Sequence, residues 1–209
     1  DATFYGSAVR AVKVGGFNTI ITNGAITPAE RSFDAERSMN YEVGGKFSLL
    51  DGRMFLDTNV YMIKWNDQIV RSIGALGATL NVNAGKTTSK GIETSLEFHP
   101  TPEWTLRGGG SYNSAVYDEY VFPLVGAIGG NPDLSGKRLQ YGPAYTANFS
   151  ALNKRTLDNG WQWFTRTDML FRTSMVAIQT ATARIPGSTK FNLHTGLRKN
   201  NLEFTLWAN

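Results

Sequence analysis

Apolar and polar residues alternate along this chain with a period of two, and the pattern recurs in segment after segment. In the stretch 161–172 the odd positions Trp161, Trp163, Thr165, Thr167, Met169 and Phe171 face Gln162, Arg166, Asp168 and Arg172, with Phe164 and Leu170 as exceptions. The stretch 190–198 sets Phe191, Leu193, Thr195 and Leu197 against Lys190, Asn192, His194 and Arg198. Ile92, Thr94, Leu96 and Phe98 alternate in the same way with Glu93, Ser95 and Glu97. A two-residue period puts successive side chains on opposite faces of an extended strand, so each segment reads as a strand with one apolar and one polar face.

The pair Asp51-Gly52 tests this reading. A two-residue type I′ turn there fixes the register of the hairpin around it. Leu49 then opposes Met54, Phe47 opposes Leu56 and Val43 opposes Val60, while Lys46 opposes Asp57 and Glu42 opposes Tyr61. One turn sorts both faces. The same reasoning across the turn at 100–103 sets Glu97 opposite Arg107, so two salt bridges, Lys46 with Asp57 and Glu97 with Arg107, are expected on the polar face.

Connections alternate as well. Short turns fall at 51–52, 100–103, 157–160 and 199–201, whereas 13–37, 73–80, 117–142 and 174–188 are longer and rich in Gly, Pro, Ser and Thr. Strands are expected at 3–12, 38–50, 53–72, 81–99, 104–116, 143–154, 161–173, 189–198 and 202–209. A tilted strand crosses a bilayer in about 9–11 residues, and short turns at one end with long loops at the other describe an outer-membrane barrel. The fold class expected is all-β, an antiparallel transmembrane β-barrel fragment of about nine strands. Trp104, Trp161, Trp163 and Trp207 are expected in an aromatic girdle at the boundary nearer the short turns. Nine strands that start and finish in one direction do not close as an antiparallel ring, so the chain is expected to be part of a longer barrel.

Composition narrows the chemistry. No Cys is present among the 209 residues, which removes disulfides, thiolate metal sites and thiol nucleophiles, and two His are too few for a three-His metal centre. No metal site and no cofactor are expected. The net charge of +4 comes from basic residues scattered singly, so no nucleic-acid partner is expected. A mean hydropathy of −0.26 goes with the absence of any apolar run long enough for a spanning helix, and it leaves a barrel open because alternation averages out. The Gly-Lys-Thr at 85–87 does not make a phosphate-binding loop, since position 80 is Leu rather than Gly. Gly85, Gly91 and the triplet 108–110 mark bends or close backbone approach instead, the triplet facing a neighbour inside the barrel.

Further motifs stand in a fixed order. Val14-Gly15-Gly16-Phe17-Asn18 follows Phe4-Tyr5-Gly6-Ser7 and Arg10. Then come Tyr41-Glu42-Val43-Gly44-Gly45-Lys46 before Leu50-Asp51-Gly52-Arg53, the run from Val60-Tyr61 to Asp67-Gln68, NAGKTTSKGIE at 83–93, DLSGKRL at 133–139, and Leu206-Trp207-Ala208-Asn209. This series resembles the barrel domain of TonB-dependent outer-membrane receptors over essentially the whole chain. The resemblance implies a 22-stranded barrel in the outer membrane of a Gram-negative bacterium, filled by an N-terminal plug that this sequence does not contain. It implies uptake of a scarce ligand (an iron-siderophore, cobalamin or a glycan) driven through TonB, with outer-membrane lipid, the TonB complex acting through the missing plug, and a small molecule such as a metal chelate as partners.

Ligand capture is expected in the loops 13–37 and 117–142, where Phe17, Tyr117, Tyr120 and Phe122 could stack on a sugar or aromatic ring, with Phe33 and Tyr141 either joining them or anchoring the lip. Arg166 and Arg172 on the polar face suit an anionic chelate or an acidic plug surface. No catalytic residue is expected: Asp168 and His194 could face each other, but no serine completes a triad. The alternatives are a passive porin or surface adhesin and, further off, an outer-membrane barrel hydrolase.

Overall fold

A computed structural model describes residues 1–19, 26–74, 76–83, 85–122, 125–126, 129–178, 180 and 182–209. Positions 20–25, 75, 84, 123–124, 127–128, 179 and 181, all within the expected loops or the 81–99 segment, lie outside the described residues. In chain order the strands are β1 (Ala2–Lys13), β2 (Gly16–Phe17), β3 (Ser32–Phe33), β4 (Glu36–Leu49), β5 (Met54–Asn66), β6 (Ile69–Ile73), β7 (Thr79–Asn83) and β8 (Lys86–Phe98). They continue with β9 (Trp104–Glu119), β10 (Tyr145–Thr156), β11 (Gln162–Arg172), β12 (Met175–Val176), β13 (Arg184–Ile185), β14 (Ser188–Lys199) and β15 (Leu202–Ala208).

Among the described residues a nine-stranded sheet runs in the order β1-β4-β5-β8-β9-β10-β11-β14-β15, and every ladder is antiparallel. This up-and-down order puts the four short turns at one end of the sheet and the four long connections at the other. β4 and β5 pair Leu49 with Met54, Phe47 with Leu56 and Lys46 with Asp57. Asp51 and Gly52 have φ of 55° and 79°, the left-handed values that a type I′ turn requires, and Leu50 joins them at 51°.

Two rows across eight strands show how completely the faces separate. One reads Ala2, Phe47, Leu56, Leu96, Gly108, Phe149, Met169, Phe191. The other reads Tyr5, Gly44, Asn59, Glu93, Ser111, Thr146, Arg172, Ser188. The apolar face is bare: Phe4 is 74% exposed, Val60 53% and Phe191 61%, although such side chains drive folding in water by being buried.

Three expectations are corrected. The segments 53–72 and 81–99 are not single strands: Asp67, at φ 55°, ends β5, and β6 and β7 pair with each other in a separate two-stranded ladder beyond the sheet. At the return point a side chain on Gly85 would meet the Glu119 carbonyl, which is why a residue without Cβ stands there. Trp207 does not join the other tryptophans, because it opposes His194 in the polar rows, whereas Trp104 and Trp163 stand in apolar rows near the short turns. For the triplet 108–110, the close neighbour is in the sheet itself: a Cβ on Gly109 would lie 2.8 Å from Asn148 Nδ2, while Gly108 and Gly110 have ordinary space.

Glycines elsewhere on the polar face lie under aromatic rings. Tyr5 covers Gly44, Tyr61 covers Gly91 and Phe164 covers Gly196, each from a neighbouring strand. At Gly91 an added Cβ would also meet the backbone carbonyl of Tyr112, so relief requires the ladder to shift. Gly91→Ala is expected to destabilise the folded barrel by about 1–3 kcal/mol through overpacking, and Gly108→Ala to be near neutral. Urea unfolding of the full-length receptor in lipid vesicles measures both, and equal effects would contradict this packing.

Candidate functional site

The expected site residues fall in two regions: the polar face and the loop end above it. On the polar face, ion pairs and hydrogen bonds join neighbouring strands. Lys46 Nζ lies 2.8 Å from Asp57, and Arg107 donates to Glu97 through Nε at 2.9 Å and Nη2 at 3.3 Å. His99 holds the other side of Glu97 at 2.9 Å, Tyr5 Oη donates to Glu42 at 2.9 Å, and Arg198 pairs with Glu203. These groups are largely open to solvent, so water and salt screen each pair and its contribution to stability is small. Their effect is to keep charges of opposite sign paired along the polar face.

Arg166 belongs to this face. Its Nε donates to both Asp168 oxygens at 2.9 Å and its Nη2 to Oδ1 at 2.8 Å, so the guanidinium fork expected to hold an anionic ligand is already filled by a carboxylate. Asp168 itself opposes Asn192, and His194 opposes Arg166, so the two do not form a hydrolytic pair. Arg172 differs. It stands at the loop end of β11, opposite Thr146 and Ser188, and its buried Nη1 has no hydrogen-bond partner among the described residues.

The loop end is packed rather than open. Tyr117 and Tyr120 are only 3% and 4% exposed and enclose Leu134, with Val70, Phe122 and Leu139 against them. The expectation that these two tyrosines offer their rings to a ligand is therefore corrected: Tyr117, near the end of β9, and Tyr120, just past it, form the core on which the β9–β10 connection packs. Phe122 stacks on Tyr120 at 6.1 Å and is partly buried with it, whereas Phe17 is 75% exposed on β2. The 133–139 motif supplies the other half of this core. Leu134 fills it, Gly136 turns at φ 77° and donates its N–H to the Tyr117 carbonyl, and Arg138 Nη2 donates to the Asn113 carbonyl at 2.7 Å. Asp133 accepts the Ser135 N–H at 2.9 Å, and this contact with the Ser135 hydroxyl holds its carboxyl below the usual range.

Two asparagines dock the first loop on the second. Asn18 exchanges hydrogen bonds with the Asn81 backbone at 2.9 and 3.0 Å, and Asn83 does the same with Asp34 at 2.7 and 2.9 Å while also reaching the Asp67 carbonyl at 2.8 Å. Each side-chain amide thus imitates a strand partner. β6 then joins the aromatic core through Val70 and through Ser72, which hydrogen-bonds Tyr120. Periodicity offered no signal for these contacts, since an exposed-looking Asn in a loop carries no mark of its partner. A second aromatic band was legible but missed: Tyr41, Tyr112, Tyr145 and Phe171 occupy apolar-face positions toward the loop end, with Tyr112 and Tyr145 rings 5.0 Å apart. Among the described residues no cluster of His, Asp or Glu could hold a metal ion.

An apolar face between two aromatic bands, a polar opposite face, short turns at one end and packed loops at the other define the wall of an outer-membrane-type β-barrel. The family model for TonB dependent receptor-like β-barrels matches residues 1–209. The chain belongs to that family, one of outer-membrane receptors and transporters rather than enzymes. The pesticin receptor of Yersinia enterocolitica is 25% identical over 143 residues, covering 65% of this chain and 20% of that protein. The chain therefore spans about a fifth of the length of the curated relatives it matches. Among solved structures, the ferric yersiniabactin uptake receptor FyuA of Yersinia pestis superposes with a TM-score of 0.73 at 20% identity, over 94% of this chain and 27% of that one. The siderophore receptor PiuA of Acinetobacter baumannii gives 0.71 at 17% identity, over 96% and 28%.

Burial raises the Tyr120 hydroxyl from 10.0 to about 12, with the neighbouring Tyr117 adding to it and Ser72 opposing it. A phenol whose folded value is raised stabilises the fold fully below the unfolded value and loses that contribution as pH rises through the folded one. The packed loop is thus expected to hold below pH 10.0 and to loosen between there and about 12. Tyrosinate absorbance should show a late-titrating component, to which the buried Tyr117 also contributes, and Tyr120→Phe should reduce it. Tyr120 titrating in the ordinary range would contradict its burial.

Proposed function

We propose that this chain is part of the wall of an outer-membrane receptor that takes up a metal chelate of the siderophore type, energised through TonB. The observation that carries the reading is the two-faced nine-stranded sheet, whose bare apolar side suits lipid and whose compensated polar side suits a water-filled or plugged interior. Relatives named for ferric yersiniabactin uptake and for siderophore reception support the ligand class. The short turns would then face the periplasm and the packed loops the outside.

Ligand contact is assigned to Arg172 and Phe17, with the edge of Phe122. Arg172 brings a buried N–H on the polar face that is unpaired among the described residues, where an anionic group of a chelate would complete its hydrogen bonding. Phe17 offers an exposed ring on the first loop. Deleting the full-length gene should abolish growth on the ferric chelate as sole iron source, and loss of TonB should do the same. Growth that survives loss of TonB would point to a passive porin. In the full-length receptor, Arg172→Gln should weaken chelate binding by roughly tenfold or more, the value of one hydrogen bond to a charged group. Arg166→Gln should change affinity little, and a reversed order would overturn the assignment.

A further inference from the structure

On the apolar face, the outward positions of β1, β4, β5 and β8 carry Arg10, Arg37, Lys64, Lys86 and Lys90 and no Asp or Glu. All stand at the loop end, at or beyond the row formed by Ala8, Tyr41 and Met62. Arg37 has Asp67 at 3.8 Å and Lys86 has Glu119 at 2.8 Å, while Asp118 on the next strand accepts from the Thr88 hydroxyl. Arg10, Lys64 and Lys90 are exposed, and among the described residues they make no ion pair.

These three are close. Lys64 opposes Thr88, which makes Lys90 its diagonal neighbour at about 7–8 Å between Cα atoms. Arg10 and Lys64 flank Met39 on either side, about 10 Å apart across two strand spacings. Cations so placed repel one another unless an anion lies among them. They cannot turn to the polar face, because the pleat points them outward above a hydrocarbon-facing surface, with the Tyr41 ring just below.

We propose that Arg10, Lys64 and Lys90 form a binding site for the phosphorylated head group of an outer-leaflet lipid, whose acyl chains lie along the apolar rows beneath. The inference rests on the outer-membrane reading given above. Long basic side chains reach up to the head-group level while their stems cover apolar surface, and each contributes to attraction for an anionic lipid.

The test is native mass spectrometry of the full-length receptor in neutral detergent, with diphosphorylated lipid A, its dephosphorylated form and inorganic phosphate added separately. The receptor should retain the phosphorylated lipid selectively. Replacing Arg10→Gln, Lys64→Gln and Lys90→Gln together should weaken that binding on the order of 100-fold. Arg155→Gln with Lys199→Gln, at the short-turn end, should leave it unchanged. Equal retention of both lipids by the unaltered receptor overturns the proposal without needing any variant. Unchanged binding by the triple variant, or release of the lipid by millimolar phosphate, also overturns it. A receptor that carries no detergent belt would instead refute the membrane reading on which the site depends.

Discussion

Backbone hydrogen bonding in a medium without water is the constraint from which the rest of this structure follows. An unpaired N–H or C=O in hydrocarbon costs several kcal/mol, so a β-protein that faces lipid must satisfy each group through its neighbours. The antiparallel ladders from β1 to β15 do so for the sheet interior, with eight strand pairings in sequence order apart from the small hairpins. Once the backbone is committed, side chains are left with only two directions. One direction collects Phe47, Leu56, Leu96, Phe149, Met169 and Phe191, and the other Asn59, Glu93, Ser111, Thr146 and Arg172.

The polar face then needs its own balance. Lys46 with Asp57, Glu97 with Arg107 and Arg166 with Asp168 contribute little stability individually, but they leave the wall without large uncompensated charge. Against that background Arg172 stands out as the charged side chain with a buried group, Nη1, that has no hydrogen-bond partner among the described residues. Aromatic rings over Gly44, Gly91 and Gly196 fill the places where side chains are missing. The loops follow a different rule: Tyr117, Tyr120 and Leu134 are buried together at the loop end and hold a small apolar core there.

The faces, the short turns and the strand order were legible in the sequence because each depends on local chemistry. Asp51-Gly52 imposes a register, and a period of two carries that register along both strands. Asp67 showed where local reasoning stops. Nothing in the alternation of 53–72 marks a left-handed residue, and the break is held by Asn83, sixteen positions away in sequence. The two tyrosines mislead for a similar reason: an aromatic in a loop looks available until its long-range partner, here Leu134, is known. Trp207 falls outside the tryptophan band because its parity is that of His194, on the polar face. The outer aromatic band, in contrast, needed only that the parity of Tyr41, Tyr112 and Tyr145 be followed to the strand ends.

The central claim is that alternate residues of one strand face lipid and the barrel interior. Spin labels placed singly at each position of β5 (Met54–Asn66) in the full-length, lipid-reconstituted receptor test it through their collision with oxygen, which partitions into hydrocarbon, and with a polar nickel chelate. The account predicts oxygen accessibility that peaks at Leu56, Thr58, Val60 and Met62 and falls at Asp57, Asn59 and Tyr61. A flat profile, or peaks at the odd positions, would contradict it.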